Sequence, residues 1–178
     1  MELDDKTKLD IYRVVLNRYK DVIGEKESHS ISEIRQRVSP YNDIIRKIRN
    51  DITKDIIGYD YQRDFLTAVQ NAIAYMRTIR TCEFAFTFWM DFKDIEGLKV
   101  GTAMDKAIFF AAVLRSLGSE DVLVVVTKAG KPYVRFRENH LFVPETGSLL
   151  MGEDAMKVFS DDPAAYSFND LLYENHLE

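Results

Sequence analysis

The chain has 178 residues, of which 46% are hydrophobic, enough to bury about 70% of its unfolded surface in one core or one core with an appendage. Lys and Arg number 24 against 29 Asp and Glu, and the resulting net charge of −5 argues against non-specific nucleic-acid binding. The single cysteine, Cys82, excludes a disulfide framework and a Cys-rich zinc site, and with a charged N-terminus and no run near the roughly 18 to 20 apolar residues of a spanning helix, the reading is a cytoplasmic protein outside the membrane.

Residues 4–23 place Leu9, Tyr12, Val15, Leu16, Tyr19 and Ile23 three and four apart, which predicts an amphipathic helix stopped at Gly24. The polar stretch Glu25 to Ser28 reads as a loop. Ser30-Ile31-Ser32-Glu33 then has the capping-box pattern, a hydroxyl N-cap with a carboxylate three residues later, and opens a short helix ending near Pro40. From Asn42 to Ile57, Ile44, Ile48, Ile52 and Ile56 recur every fourth residue with Ile45 beside them, giving a third helix. A fourth is expected from Tyr61 towards Cys82 through Phe65, Val69, Ala72, Ile73, Met76 and Ile79.

The second half changes character. A helix at 102–117 is followed by three β-rich runs, Asp121 to Thr127, Lys131 to Arg137 and His140 to Val143, separated by Lys-Ala-Gly and Glu-Asn. Those separators suit tight turns, although Glu-Asn is less typical of a hairpin than Asn-Gly. Gly147 and Gly152 bracket another short apolar segment, Pro163 interrupts an acidic tail around Asp161 and Asp162, and Tyr166 to Tyr173 reads as one short helix. Helices first and a meander second predict an α+β fold, divided into a helical region at 1–82 and an α+β region at 83–178 that together form one compact unit.

Residues 89–118 carry the most informative pattern, with Trp89 upstream of Gly101-Thr102-Ala103-Met104-Asp105-Lys106-Ala107 and a helix that closes on Leu114-Arg115-Ser116-Leu117-Gly118. This stretch resembles the transglutaminase-like branch of the papain-type cysteine enzymes, in which Gly-x-Cys-x-Asp-x-Ala opens a helix ending Leu-Leu-Arg-x-Leu-Gly, and the strands after it carry His and Asp. Gly101, Asp105, Ala107, Leu114, Arg115, Leu117 and Gly118 match at the family spacing. The likeness covers residues 85–150; the helical region before it has no counterpart.

The resemblance implies a papain-like α+β fold, but Ala103 occupies the nucleophile position. Family catalysis needs a thiolate at a helix N-terminus, where the dipole and a neighbouring His lower the thiol pKa; alanine offers no nucleophile, and loss of one triad member commonly removes almost all the chemical rate. The other triad positions depend on the strand register. In one register Asn139-His140-Leu141-Phe142-Val143 resembles the family's His strand, with Glu153 or Asp154 as a poorly placed acid. In the other, Lys131-Pro132-Tyr133-Val134 takes the His strand and Val143-Pro144-Glu145-Thr146-Gly147 the family's Asp-Pro-x-x-Gly turn, so that all three catalytic positions are lost. The second is favoured because it gives three strands of similar length joined by short turns; both stay open.

Other residues have plainer readings. Phe84, Phe86, Phe88, Trp89 and Phe92 serve a core before a ligand groove, and Cys82 reads as a small buried hydrophobe. His29, His140 and His176 have no metal-ligand spacing. Asp105 complements the dipole of its helix. Arg46, Lys47, Arg49 and Lys54 alternate with Asp43, Asp51 and Asp55, the pattern of a solvated face.

The expectation is a non-catalytic transglutaminase-like domain that binds a peptide or protein partner in the inherited cleft, with Trp89, Gly101, Thr102, Ala103, Asp105, Tyr133 and His140 as candidate lining residues and the helical half as a lid or docking surface. No cofactor and no metal are expected, and His140 is the weak catalytic candidate. The competing readings are a cysteine hydrolase or transferase that lost its nucleophile at Ala103, naturally or by engineering, and a structural or homo-oligomerising subunit.

Overall fold

In the computed structural model, which describes residues 4–23, 30–84 and 88–176, the helical first half starts with α1, Asp5–Ile23. Val15 is fully buried and Tyr19 nearly so, but Leu9 and Leu16 of the expected stripe are exposed and Ile11 is buried instead, so the inward face is narrower and rotated from the one the spacing suggests. The Gly24 stop, the loop after it, His29 and Phe86 lie outside the described residues. The capping box forms: the Ser30 hydroxyl accepts the Glu33 amide and the Glu33 carboxylate accepts the Ser30 amide, starting α2, Ile31–Arg37. Asn42 caps α3, Asp43–Thr53, through the Ile44 amide, and Asp60 caps α4, Tyr61–Met76, through the Arg63 amide.

The fourth helix stops earlier than its periodicity suggests. Beyond Met76 the chain straightens into β1, Arg80–Thr81, which after α5, Phe92–Leu98, pairs in parallel with β2, Val100–Gly101. Ile79 is still buried, but by this strand turn and not by a continuing helix. Lys99 adopts a left-handed conformation at φ 52° to end α5, and its ammonium donates to the Tyr75 hydroxyl at 2.7 Å.

Next comes α6, Ala103–Ser116, every residue of which from Asp105 to Leu114 is buried. Phe109 stacks on Tyr75 with ring centroids 6.2 Å apart, and Phe110 meets Phe142 at 4.2 Å. Three strands follow as a meander: β3, Leu123–Thr127, β4, Pro132–Phe136, and β5, His140–Val143. They are antiparallel, with Val124 opposite Val134 and Val134 opposite Phe142. Helix α6 packs on β3 and β4, and Val122, Val124 and Val126 join its core. Leu123 and Val125, which point to the other face, are buried too, so β3 reads as a continuous apolar run because both faces are covered. The Glu-Asn hairpin closes with Arg137 and Glu138 both at positive φ, 44° and 48°.

Three further strands extend the sheet. Strand β6, Ser148–Met151, pairs with β5; α7, Glu153–Asp161, then carries the chain back to β7, Ala164–Phe168, on the far side of β3, and β8, Tyr173–Asn175, adds the edge. The order is β6-β5-β4-β3-β7-β8. The stretch Tyr166 to Tyr173, expected as a helix, is thus a hairpin. Its apolar residues recur at helical intervals, but the Asn169 side chain accepts the amides of Leu171 and Leu172 and donates to the Val122 carbonyl, holding a turn against the sheet. The architecture is α+β, with helices packed on an antiparallel meander. A single hydrophobic cluster runs from Ile11 to Phe168 and includes residues from both halves of the chain.

Candidate functional site

The site is built around the start of α6. Thr102 is its N-cap: the hydroxyl accepts the Asp105 amide at 3.1 Å, and the Asp105 carboxylate accepts the Thr102 amide at 3.0 Å and the Thr102 hydroxyl at 2.8 Å. The other Asp105 oxygen accepts the Met90 amide at 3.0 Å, so this buried carboxylate fastens the helix to the approaching chain. Burial raises its pKa against the lowering effect of those hydrogen bonds. Gly101 lies in β2 immediately before the cap, and a Cβ there would come within 3.3 Å of the Asp105 Cβ. Gly101, Thr102 and Asp105 therefore hold the frame of the site.

Ala103, the first residue of α6, lines a groove of about 270 Å3 with Thr81 and Glu83 from the β1 segment, Lys131 and Tyr133 from β4 and its turn, and Glu145 beyond β5. Tyr133 also packs edge-on against Phe159 of α7. On the β1 side, the Arg80 amide donates to the Lys99 carbonyl and the Cys82 amide to the Gly101 carbonyl. Strand alternation turns the main-chain groups of Thr81 away from β2, and no hydrogen bond among the described residues engages the Thr81 amide. From the first helix, Tyr12 reaches the same segment, donating to the Glu83 carbonyl and meeting Phe84 at 5.7 Å.

The other candidates lie elsewhere. His140 lines a separate cavity of about 220 Å3 with Glu138, Leu141, Met156 and Phe159, its Nδ1 3.3 Å from the Arg137 carbonyl and its ring against Phe136. Trp89 is half-buried beside the guanidinium of Arg37. Arg115, a matched position of the sequence pattern, makes a two-point ion pair with Asp170 at 2.5 and 3.1 Å and donates to the Ser119 carbonyl, tying the end of α6 to the β7–β8 turn. Cys82 is buried and its thiol pKa is pushed up, the opposite of a reactive thiolate. His176 meets the Ser167 hydroxyl at 2.9 Å, but Ser167 is 1% exposed inside the sheet and out of a substrate's reach. The basic face of α3 makes ion pairs, Arg46 with Asp43 and Lys47 with Glu96.

Lys106 is a buried charged group at the site that the sequence analysis does not single out. It is 3% exposed, in the first turn of α6, and its ammonium donates to the Thr81 hydroxyl at 2.9 Å. Burial lowers its pKa to about 8. A charged residue abutting the unbroken run Ala107 to Leu114 was the available signal.

Among the described residues no group of three or more His, Cys, Asp or Glu side chains is placed to hold a metal ion, and no helix is long and apolar enough to cross a membrane. No family model matches the chain, and neither the curated proteins nor the solved structures contain a match.

Proposed function

We propose that the chain is a non-catalytic member of the transglutaminase-like group whose groove at Ala103 receives an extended peptide segment of a partner. One observation carries this reading: the residue at the start of α6 faces a groove lined by Thr81, Lys131, Tyr133 and Glu145, among which there is no thiol and no imidazole. A helix N-terminus favours a thiolate, but alanine has nothing to ionise, and Lys131 and Tyr133 stand where the favoured register put the family's histidine strand. The outward main-chain groups of Thr81 suit an added strand, the mode in which a peptide's backbone supplies affinity and alternate side chains supply selectivity.

Two measurements test the reading. Peptides selected from a random displayed library on the intact chain are expected to lose binding to Ala103→Trp, which fills the groove, while Met156→Trp in the cavity beside His140 leaves binding intact. A selection that returns no peptide sensitive to Ala103→Trp would refute peptide docking here. For chemistry, Ala103→Cys is expected to give a thiol whose alkylation is unaffected by His140→Ala and no hydrolysis of generic amides or esters. Turnover that disappears in the Ala103→Cys/His140→Ala double variant would restore the enzyme reading.

A further inference from the structure

Next to the groove, and sharing Thr81 and Glu145 with it, lies a second cavity of about 420 Å3 whose other lining residues include Arg77, Arg80, Lys106 and Gly147. Three cations face this space against one carboxylate. Lys106 is almost completely removed from solvent, yet among the described residues the one partner of its ammonium is a neutral hydroxyl. Thr81 spends its own proton on the Glu145 carbonyl at 3.1 Å, so the order of donation is Lys106 to Thr81 to Glu145. An ammonium has three donors, and two of those on Lys106 have no acceptor among the described residues.

The arginines are equally unspent. Arg77 uses Nε on the Gly147 carbonyl at 3.0 Å, leaving the outer guanidinium nitrogens without a partner among the described residues. Arg80 is half-buried on β1 and forms no ion pair with any described residue. Gly147 permits the approach: at φ 69°, a Cβ there would come within 3.0 Å of the Arg77 Cγ. The Glu145 side chain is exposed and makes no ion pair with the three cations. Buried charge without compensation is costly, and a bound anion offsets that cost. The start of α6, where Lys106 sits, adds the positive end of a fourteen-residue helix.

A second arginine-lined cavity has the opposite character. Arg46, Arg49 and Arg115 border it, but it lies at the C-terminal end of α6, where the dipole repels anions, and Arg115 is already committed to Asp170.

We infer that the cavity lined by Arg77, Arg80 and Lys106 is a binding site for a small oxyanion, a carboxylate or phosphoryl group held by Lys106 and the two guanidinium groups. The site does not depend on the adjoining groove being a peptide dock. An occupant long enough to pass Thr81 would fill both.

The test is a titration of the full chain with sodium phosphate and, separately, sodium acetate, at constant ionic strength set with chloride, followed through backbone amide shifts. Saturable changes centred on Thr81, Lys106 and Gly147 are expected, with dissociation constants of about 1 to 10 mM, as suits a small ion with a few charge-assisted hydrogen bonds. Saturation by phosphate alone assigns a phosphoryl ligand, and saturation by both assigns a site that also takes carboxylates. Lys106→Met, which keeps the apolar stem, should weaken binding about tenfold or more, and Arg80→Gln about threefold. Arg80→Gln alters no described hydrogen bond and keeps the test decisive if the lysine variant fails to fold. Shifts that remain linear in both salts, or that saturate equally in Arg80→Gln and the parent, would overturn the inference.

Discussion

Replacing Lys106 with methionine should change how stability responds to alkali. The amine titrates near 8 in the fold against an ordinary 10.5, and burial is the cause. A base with a depressed pKa binds fewer protons folded than unfolded across that window, so its contribution makes stability rise as pH climbs from about 8 to 10.5. Below the window the buried charge costs about 3 kcal/mol, the gap of two and a half units at about 1.4 kcal/mol each. Between pH 7 and 9.5 the parent should recover about 2 kcal/mol of this relative to Lys106→Met. Other groups titrate nearby: the raised values of Cys82, Tyr19 and Tyr59 make stability fall as pH passes their unfolded pKa values, but both proteins share them and the difference removes them. The assay is urea unfolding followed by circular dichroism at half-unit steps of pH in chloride solution, for parent and variant. Two stability curves that run parallel from pH 7 to 9.5 would show that Lys106 is not a depressed, uncompensated amine.

Three further outcomes are expected. Arg115→Ala should cost about 3 kcal/mol by thermal unfolding, since it strands Asp170 at 15% exposure and frees the Ser119 carbonyl. Asp105→Ala should cost about 3 kcal/mol by the same measurement, because the Met90 and Thr102 amides both lose their acceptor in a buried place. Glu138→Gly should raise stability by about 1 kcal/mol, because Glu138 is exposed yet holds a left-handed φ of 48° that glycine adopts freely.

Local signals carried most of what the sequence made legible. The Ser30 and Glu33 pair, the four-residue repeat of isoleucines in α3 and the apolar run of β3 each act within a few residues, and each formed the element its pattern called for. The Thr102 capping box was less visible because its reciprocal acceptor is the aspartate Asp105, one carbon shorter than the glutamate or glutamine of the usual pattern. Strands β7 and β8 were not legible locally: Phe168, Leu171 and Leu172 mimic a helical stripe, and the turn that breaks it depends on Asn169 reaching Val122. The end of α4 was lost similarly, since β1 exists only by pairing with β2, some twenty residues further on. Lys106 escaped for the same reason. Its ammonium meets Thr81 and shares a cavity with Gly147, and none of that proximity is encoded near position 106.

The mounting of α6 separates two duties that a single residue could have shared. Thr102 and Asp105 secure the helix through one another and through the Met90 amide, while the Ala103 side chain takes part in none of these bonds. Position 103 therefore behaves like an interchangeable tip on a fixed holder. A chain built this way can exchange the group presented to the groove by one substitution and leave the packing behind it untouched, so tolerance to mutation should be broad at 103 and narrow at its neighbours 102 and 105.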